Sequence, residues 1–372
     1  MNRDTDTIII GAGPAGLATA AALRARRVPF VLLEREGVVG SSWRRHYERL
    51  HLHTPKSHSA LPFIRYPKSY PRYPSRNQFI DYLDDYARAF KIAPEFHQDV
   101  VDCRKDEADL WCVRTGQRTW RARNLVVASG FNRVPIVPSW PGQASFAGPI
   151  IHSRDYTNGE RFRGKRVLVA GFGNSGAEIA IDLVEHGAEA QIAMRGHVNI
   201  IPREILGIPV TLWALASRPL SPRLADLANA LSIRLAMGNL QRYGIHRRPD
   251  GPFVEIIERQ HVPVIDVGTV ELIKRGLIRL RPGIERFDAG DVCFCDGMRE
   301  RYDAIVLATG FSTGLRQLLA DVPVLDSAGR PSAYGRETSA RGLYFCGYNL
   351  LPTGFLREIS IEAVRIARRI AA

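Results

Sequence analysis

The sequence lacks the features that mark membrane-spanning, secreted and nucleic-acid-binding proteins. No stretch approaches the roughly 18 consecutive apolar residues that a membrane helix needs. The N-terminus, MNRDTDTIII, carries acidic residues and runs directly into a glycine-rich motif, which is not the pattern of a signal peptide. Its 51 Lys and Arg residues are scattered, without a long basic run, although the net charge is +13. We therefore expect neither a membrane nor a nucleic-acid partner, and a basic surface that suits phosphate-bearing ligands.

Cysteine is scarce and follows no redox or metal pattern. The five cysteines are odd in number and no secretion signal precedes them, which predicts a reduced, cytoplasmic protein. Cys293 and Cys295 are spaced C-x-C in the alternating run DVCFCDG, so we interpret them as structural residues of a strand. The histidines of the segment 40–73 have no zinc spacing, and no metal is expected. That segment is rich in His, Pro and aromatic residues, which favours an ordered excursion around a flat cofactor.

A first dinucleotide-binding pattern begins near the N-terminus. An apolar strand (7–10) leads into G-x-G-x-x-G at 11–16, and an Ala/Leu-rich helix (17–25) follows. Glycines permit the tight turn and the close approach of pyrophosphate, and the helix N-terminus supplies N–H donors. A second strand (28–33) ends in Glu34, 18 positions after the last glycine, where a carboxylate accepts hydrogen bonds from a ribose. The carboxylate excludes a 2′-phosphate, so the ligand is FAD or NAD.

A second pattern of the same kind follows in the middle of the chain. Strand 166–170 leads into G-x-G-x-x-G at 171–176 and a helix at 177–186. Its next strand ends in Arg195, 19 positions after the third glycine, where a guanidinium can hold a 2′-phosphate. The simplest assignment is FAD in the first site and NADPH in the second. The helical insert 204–260 could be a lid, a substrate wall or a dimer surface, so a monomer and a homodimer both stay open.

Two similar segments suggest how the two units are connected. NLVVASGF (124–131) and AIVLATGF (304–311) each combine an apolar strand with a small-residue turn, which indicates one crossing out of a domain and one back. We expect an α/β protein with two Rossmann-like dinucleotide-binding domains, the NADPH domain being inserted in the FAD domain. The expected ranges are 1–157 and 301–372 for the FAD domain and 158–300 for the NADPH domain. A final strand (342–347) and a closing helix (354–370) complete the FAD domain.

The chain resembles the class B flavin-dependent monooxygenases. The resemblance rests on the two glycine motifs, Glu34, ATGF and the run F-x-G-x-x-x-H-x-x-x-Y from Phe146 to Tyr156. Several further segments are similar to the YUCCA-type indole-3-pyruvate monooxygenases: VPFVLLER, LHLHTPKS, YPRYPSRNQFIDYL, PREILG and VPVIDVGTVELI. The resemblance implies that NADPH reduces FAD and that O₂ then forms a flavin hydroperoxide, which oxygenates a small substrate. A YUCCA-like enzyme would decarboxylate an aryl α-keto acid oxidatively.

Other functions stay open at this point. Related enzymes oxygenate soft nitrogen or sulfur, and others carry out Baeyer–Villiger oxidation, although those typically have tryptophan where this chain has Tyr156. A disulfide reductase shares the two-dinucleotide plan but needs a cysteine pair against the flavin. A redox sensor that binds FAD and NADP(H) without turnover is the non-enzymatic alternative.

The resemblance also implies a set of site residues. His53 and Lys56, in LHLHTPKS, are the candidate catalytic residues; His53 stands where many nitrogen- and sulfur-oxidising members carry asparagine. His152 is expected to act in the linker between domains rather than in the chemistry. The expected cofactor-binding residues are Gly11, Gly13, Pro14, Ala15, Gly16, Glu34, Arg35, Ser42, Trp43, His53, Ser129, Gly130, Gly171, Gly173, Asn174, Ser175, Gly176, Arg195, Thr309, Gly310 and Gly347.

Overall fold

Strands and helices alternate along the chain in the computed structural model, which describes residues 3–372. The strands are β1 (Arg3–Ile10), β2 (Phe30–Leu33), β3 (Val100–Lys105), β4 (Trp111–Thr115), β5 (Thr119–Val127), β6 (Val134–Pro135), β7 (Ile150–His152), β8 (Arg166–Ala170), β9 (Glu189–Ala193), β10 (Ile200–Pro202), β11 (Glu204–Ile205), β12 (Ile208–Pro209), β13 (Val264–Asp266), β14 (Ile278–Arg281), β15 (Ile284–Asp288), β16 (Asp291–Phe294), β17 (Arg299–Glu300), β18 (Ala304–Leu307), β19 (Phe311–Ser312) and β20 (Leu343–Phe345). The helices are α1 (Pro14–Arg24), α2 (Ser41–Arg44), α3 (Arg76–Ala89), α4 (Asn174–Glu185), α5 (Val210–Ala216), α6 (Pro222–Met237), α7 (Pro252–Ile257), α8 (Thr269–Lys274), α9 (Leu315–Leu318) and α10 (Phe355–Ile370).

The first of two compact units comprises residues 3–44, 54–134 and 311–372. Its sheet has the order β2-β1-β5-β4-β3, and β20 pairs with β5 beside the last residues of that strand. The strands β1, β2, β5 and β20 are parallel, whereas β3 and β4 form an antiparallel extension. Because the carboxyl ends of parallel strands meet at one edge, the loops that follow these four strands share that edge.

Within the first unit, residues 54–73 are held by the aromatic face of α3. Ser75 and Gln78 form a capping box that starts the helix, and its buried side chains include Phe79, Tyr82 and Tyr86. The Tyr82 hydroxyl donates to the Ile64 carbonyl at 2.7 Å and accepts from the Leu61 N–H at 2.9 Å. Tyr hydroxyls thus satisfy backbone groups of a stretch that, apart from one short 3₁₀ turn at Lys56–His58, has no regular structure.

The second unit comprises residues 45–53 and 135–310. Its main sheet is entirely parallel and has the order β14-β9-β8-β18-β7. The strands that follow β14 in the chain form a separate antiparallel sheet, in the order β15-β16-β17. The last four residues of β8 are buried, as expected for a strand covered on both faces. The insert 204–260 contains α5, α6 and α7 together with the short hairpin β11–β12, in agreement with its predicted helical character.

The mixed α/β class expected from the sequence is confirmed by these elements. The second unit begins at 135 and ends at 310, whereas the sequence predicted 158 and 300. The difference arises because β18 pairs with β8 on one side and with β7 on the other. Both β7, which precedes residue 158, and β18, which follows residue 300, therefore belong to the sheet of the second unit. Residues 45–53 also belong to the second unit, and no sequence pattern predicted that.

Candidate active site and cofactor sites

The first glycine loop has the geometry that a dinucleotide pyrophosphate requires. Gly11 has φ +99°, a conformation that L side chains rarely adopt, and a Cβ on Gly16 would lie 1.8 Å from the Gly11 carbonyl oxygen. A Cβ on Gly13, in contrast, would meet nothing within 4 Å. Pro14 occupies the first position of α1, so the open space at Gly13 lies at the helix N-terminus, where N–H groups favour phosphate. These residues fit an FAD pyrophosphate.

Glu34 lies at the end of β2, as predicted, and turns back toward the glycine loop. Its carboxylate accepts from the Ala12 N–H at 2.7 Å and from the Ser41 hydroxyl at 3.2 Å. A carboxylate has about four acceptor positions, so it can also accept from ribose hydroxyls. Ser41, which the sequence did not single out, contacts Glu34, whereas Ser42 is exposed and Arg35 pairs with Glu36.

Trp43, another predicted cofactor residue, packs on α3. Its ring meets Phe79 edge to face, with 4.3 Å between the ring centroids. This contact connects α2 to the aromatic face of α3 that also holds residues 54–73. Trp43 therefore has at least a structural role in the first unit.

Three further predicted residues lie after β5 and β20 at the same sheet edge. The Ser129 hydroxyl and the Tyr348 hydroxyl are 2.8 Å apart, and Gly130 has φ +81°. Gly347 has φ +80°, and a Cβ there would approach Ala15 Cβ to 3.0 Å, so the turn after β20 lies directly against the start of α1. Small residues are required where these segments approach each other.

A buried carboxylate that the sequence did not reveal holds this last turn. Glu362, on α10, accepts from the Gly347 N–H at 2.8 Å. Burial raises the pKa of Glu362 to about 7, an effect that the Gly347 hydrogen bond only partly offsets. The helical periodicity of α10 places position 362 on the buried face of the helix. The periodicity does not indicate that the Glu362 carboxylate contacts the Gly347 N–H.

The second glycine loop repeats the geometry of the first. Gly171 has φ +116°, a Cβ on Gly176 would lie 2.1 Å from the Gly171 carbonyl oxygen, and a Cβ on Gly173 would meet nothing within 4 Å. Asn174, a predicted cofactor residue, already uses its side-chain amide: Oδ1 accepts from the Ile265 N–H and Nδ2 donates to the Pro263 carbonyl. Its side chain therefore ties the loop to β13, and the space beside Gly173 is what fits a second pyrophosphate.

Arg195 lies just beyond β9, in the position predicted for a 2′-phosphate contact. Its side chain packs over Gly283, where an added Cβ would come within 3.0 Å of Arg195 Cγ. The residue is exposed, and no ion pair holds its guanidinium within the described part of the chain. A cation that is positioned but not neutralised suits a phosphate ligand.

His53 contacts Glu178, a buried carboxylate of α4 that the sequence did not reveal. Its Nε2 lies 2.7 Å from Glu178 Oε1, and the Glu178 side chain is only 3% exposed. The Tyr47 hydroxyl donates to the same carboxylate and accepts from the Ser175 hydroxyl; burial, and then the charge of Glu178, raise the pKa of Tyr47. Glu178 therefore fixes the orientation of the His53 ring: Nε2 donates to the carboxylate, and Nδ1 is on the side of the ring away from Glu178.

Lys56 is engaged in its own loop. Its ammonium donates to the backbone carbonyls of Pro67, Lys68 and Tyr70, at 3.3 Å and 2.9 Å for the first two. An ammonium has three donors, and all three have partners here. The structure thus gives Lys56 a loop-holding role rather than the catalytic role expected from the sequence.

His152 contacts the turn that follows β18, within the second unit. Its Nε2 donates to the Gly310 carbonyl at 3.2 Å, and its Nδ1 accepts from the Arg154 N–H at 3.1 Å. Burial lowers the pKa of His152, which favours the neutral ring that both contacts require. The Thr309 hydroxyl donates to the Ile136 carbonyl at 2.5 Å, so this turn is held by the segment 135–152 of the same unit.

The cysteines do not form the pair that a disulfide reductase needs. All five are free; Cys293 lies buried within β16, and Cys295 follows the strand and is exposed. Burial raises the pKa of Cys346, which disfavours its reactive thiolate. Within residues 3–372, no group of His, Cys, Asp and Glu could hold a metal ion.

Comparison with known proteins decides the family. The family model described as pyridine nucleotide-disulphide oxidoreductase matches residues 8–203. The indole-3-pyruvate monooxygenase YUCCA1 of Oryza sativa subsp. japonica is 42% identical over 370 residues, which cover 98% of this chain and 90% of that protein. The chain belongs to the YUCCA-type monooxygenases. The expected enzyme class, a flavin-dependent monooxygenase that works with FAD and NADPH, is confirmed by this membership.

Solved structures support the fold of this YUCCA-type chain. A flavin-containing monooxygenase from Stenotrophomonas maltophilia aligns with a TM-score of 0.74 at 23% identity, over 99% of this chain and 98% of the other. A bacillithiol disulfide reductase from Bacillus cereus aligns with a TM-score of 0.71 at 19% identity, over 99% of both chains. The fold is therefore shared by proteins named as monooxygenases and as reductases. No helix in the described part of the chain is long and apolar enough to cross a membrane.

Proposed function

We propose that the protein catalyses the NADPH- and O₂-dependent oxidative decarboxylation of an aryl α-keto acid such as indole-3-pyruvate. The observation that carries this proposal is the 42% identity, over nearly the whole of both chains, to a protein named indole-3-pyruvate monooxygenase. In this reaction one oxygen atom of O₂ is added to the keto carbon, the bond between keto carbon and carboxyl carbon breaks, and CO₂ leaves. The other oxygen atom becomes water, with two electrons from NADPH.

We assign each cofactor to one Rossmann-like unit, with the NADPH unit inserted in the FAD unit. FAD lies at the edge formed by Gly11–Gly16, Glu34, Ser129, Gly130 and Gly347. NADPH lies on Gly171–Gly176 with its 2′-phosphate on Arg195. The support for this order is chemical: Glu34 is a carboxylate that disfavours a phosphate at the ribose 2′ position, and Arg195 is a cation without an ion-pair partner in the described residues.

Bound FAD supplies the activation of O₂, and the residues of the chain orient the reactants. We propose that His53 is the side chain beside the reacting groups and that Glu178 positions it. Support comes from the 2.7 Å contact between the two and from the burial of Glu178, since a buried carboxylate holds an imidazole in one tautomer and one orientation. Tyr47 completes the arrangement by joining Glu178 to Ser175 in the second glycine loop.

We propose Arg247 as the donor for the substrate carboxylate. Its Nη2 is buried and has no hydrogen-bond partner among the described residues, although such groups nearly always have one. Burial, and then the nearby charge of Arg234, lower the pKa of Arg247. A bound carboxylate offsets both effects, because it accepts from the unpartnered donor and supplies an opposite charge.

The test compares products rather than NADPH consumption alone. Purified protein with FAD and NADPH is given indole-3-pyruvate, phenylpyruvate, an alkyl sulfide, a tertiary amine or a cyclic ketone, and CO₂, H₂O₂ and organic products are measured. We expect one CO₂ for each NADPH with the keto acids, and mainly H₂O₂ with the others. Formation of a sulfoxide, N-oxide or lactone, with keto acids giving only H₂O₂, would refute the proposal in favour of heteroatom or Baeyer–Villiger oxygenation.

A further inference from the structure

The outward face of α6 is a stripe of exposed leucines. Leu224, Leu227, Leu231 and Leu235 are 54%, 74%, 67% and 75% exposed, and Leu220, just before the helix, is 43% exposed. Nine of the seventeen large hydrophobic residues that are exposed in the described chain lie in the insert 204–260. A folded protein seldom presents such a contiguous apolar face without an interaction partner.

The spacing shows that this stripe is a regular surface. Successive leucines are three or four positions apart, so they lie on one side of the helix. Ala225, Asn229 and Met237 are buried on the opposite side, and the Asn229 amide donates to Ser217 at 3.0 Å and to the Ala225 carbonyl at 2.8 Å. The helix is therefore attached to its unit by its other face, while the leucines point away.

Arg223 and Arg234 lie on α6 beside the leucine stripe, and two further arginines, Arg218 and Arg242, precede and follow the helix. Arg218, Arg223, Arg234 and Arg242 are exposed, and none of the four has an ion-pair partner among the residues described. Together with the five leucines they form what we call the α6 surface.

The acidic residues of the insert are mostly engaged within the unit. Asp226 accepts from the Phe253 and Val254 N–H groups at the start of α7. Glu255 is buried and contacts Asn199 and His261, and Asp250 pairs with Arg259. The α6 surface is thus both apolar and positively charged.

We propose that the α6 surface binds the interface of a membrane rich in anionic lipids. A helix that presents a stripe of leucines with arginines along its flank lies at the boundary between headgroups and acyl chains, where both kinds of side chain are satisfied. A second copy of the chain fits less well, because an antiparallel pairing of two α6 helices brings the flanks that carry Arg223 and Arg234 together. An interfacial helix does not cross the bilayer, so the absence of a spanning helix in the described chain agrees with this mode.

The neighbouring hairpin extends the same surface. Leu206, at the turn between β11 and β12, is 91% exposed, and Ile208 is 44% exposed. Leu206 has φ +51°, a conformation that non-glycine residues rarely adopt, so the turn displays an apolar side chain at a backbone cost. Strand β11 contacts α6, which places a second apolar group beside the helix.

Vesicle binding of the full-length protein with FAD tests the proposal. Vesicles of phosphatidylcholine containing phosphatidylserine should sediment the protein, and vesicles of phosphatidylcholine alone should bind it far more weakly. Leu227→Glu/Leu231→Glu should reduce the partition coefficient on the order of a hundredfold. Arg223→Gln/Arg234→Gln should reduce it about thirtyfold on the anionic vesicles, at about 1 kcal/mol per arginine.

Matched controls separate loss of the surface from loss of the fold. Val137→Glu alters an exposed apolar residue of the same unit outside the insert and should leave binding unchanged. Each variant should retain its FAD content and its reduction by NADPH. Equal binding to both kinds of vesicle, or unchanged binding by both double variants, would overturn the proposal. So would a wild-type dimer in solution that Leu227→Glu/Leu231→Glu converts to monomers without any effect on vesicles, because the surface would then join two copies.

Discussion

Glu362→Gln is expected to make the protein more stable above neutral pH. Glu362 is buried, and its pKa of about 7 lies above the ordinary value of 4.5. A carboxyl group with a raised pKa binds more protons in the folded than in the unfolded state between these two values. The free energy of unfolding therefore falls as pH rises from about 4.5 to about 7, by roughly 3 kcal/mol at about 1.4 kcal/mol per pKa unit.

Glutamine removes this titration while keeping an oxygen that can accept from the Gly347 N–H. Relative to wild type, Glu362→Gln should therefore gain up to about 3 kcal/mol between pH 4.5 and pH 8, with most of the gain reached near pH 7. The assay is urea unfolding at several pH values, followed by tryptophan fluorescence, with the midpoint and slope compared at each pH. Parallel pH profiles for the two proteins would refute the reasoning.

Glu358→Gln, one turn earlier on α10, is the matched control. Its carboxylate contacts the Thr353 hydroxyl at 2.6 Å and Arg357 at 2.7 Å, so an amide should weaken both contacts. We expect this variant to be less stable than wild type at pH 8. A gain of stability in both variants would indicate that any loss of negative charge from α10 is favourable, and the buried carboxyl of Glu362 would then have no special role.

Three further predictions concern the active site. Arg195→Ala should raise the KM for NADPH about ten- to a hundredfold and leave that for NADH nearly unchanged, since a charge-assisted contact is worth about 1.5–3 kcal/mol; equal increases would contradict a 2′-phosphate contact. Glu178→Gln should lower kcat by about tenfold or more and displace its pH profile, whereas Glu185→Gln, on the same helix but with an exposed carboxylate paired to Arg49, should change neither. Arg247→Gln should raise the KM for a keto acid by about tenfold or more without affecting the KM for NADPH; an unchanged keto-acid KM would remove Arg247 from the substrate site.

The parts of the fold that depend on residues close together in the sequence could be predicted. Strand β8 has the predicted bounds, and the glycine loops and the end of β2 before Glu34 are where the pattern placed them, whereas β9 ends one residue earlier than predicted, at Ala193. Helices α1 and α4 begin three residues earlier than predicted, at Pro14 and Asn174, because the third glycine of each loop lies inside the first helical turn. Such motifs are readable because glycine and helix requirements act over a few residues.

The contacts that position the proposed chemistry could not be predicted in this way. His53 and Glu178 are 125 positions apart, and the pairing depends on residues 45–53 joining the second unit. Ser41 contacts Glu34 while the predicted Ser42 does not, since two adjacent positions on one turn of α2 point in different directions. The resemblance implies a catalytic Lys56, and only the three-dimensional course of residues 67–70 shows what its ammonium binds.

The segment 45–53 has a consequence for how the chain folds and how it can be divided. Because this segment belongs to the second unit, the chain passes between the units four times rather than two. Tyr47 contributes to the core of the second unit and Leu50 packs against it, although both are synthesised well before residue 135. A fragment of residues 135–310 would expose that part of its core and leave the buried carboxylate of Glu178 without Tyr47 and His53. Expression of the second unit alone should therefore yield an aggregation-prone product, which a peptide of residues 45–53 could rescue.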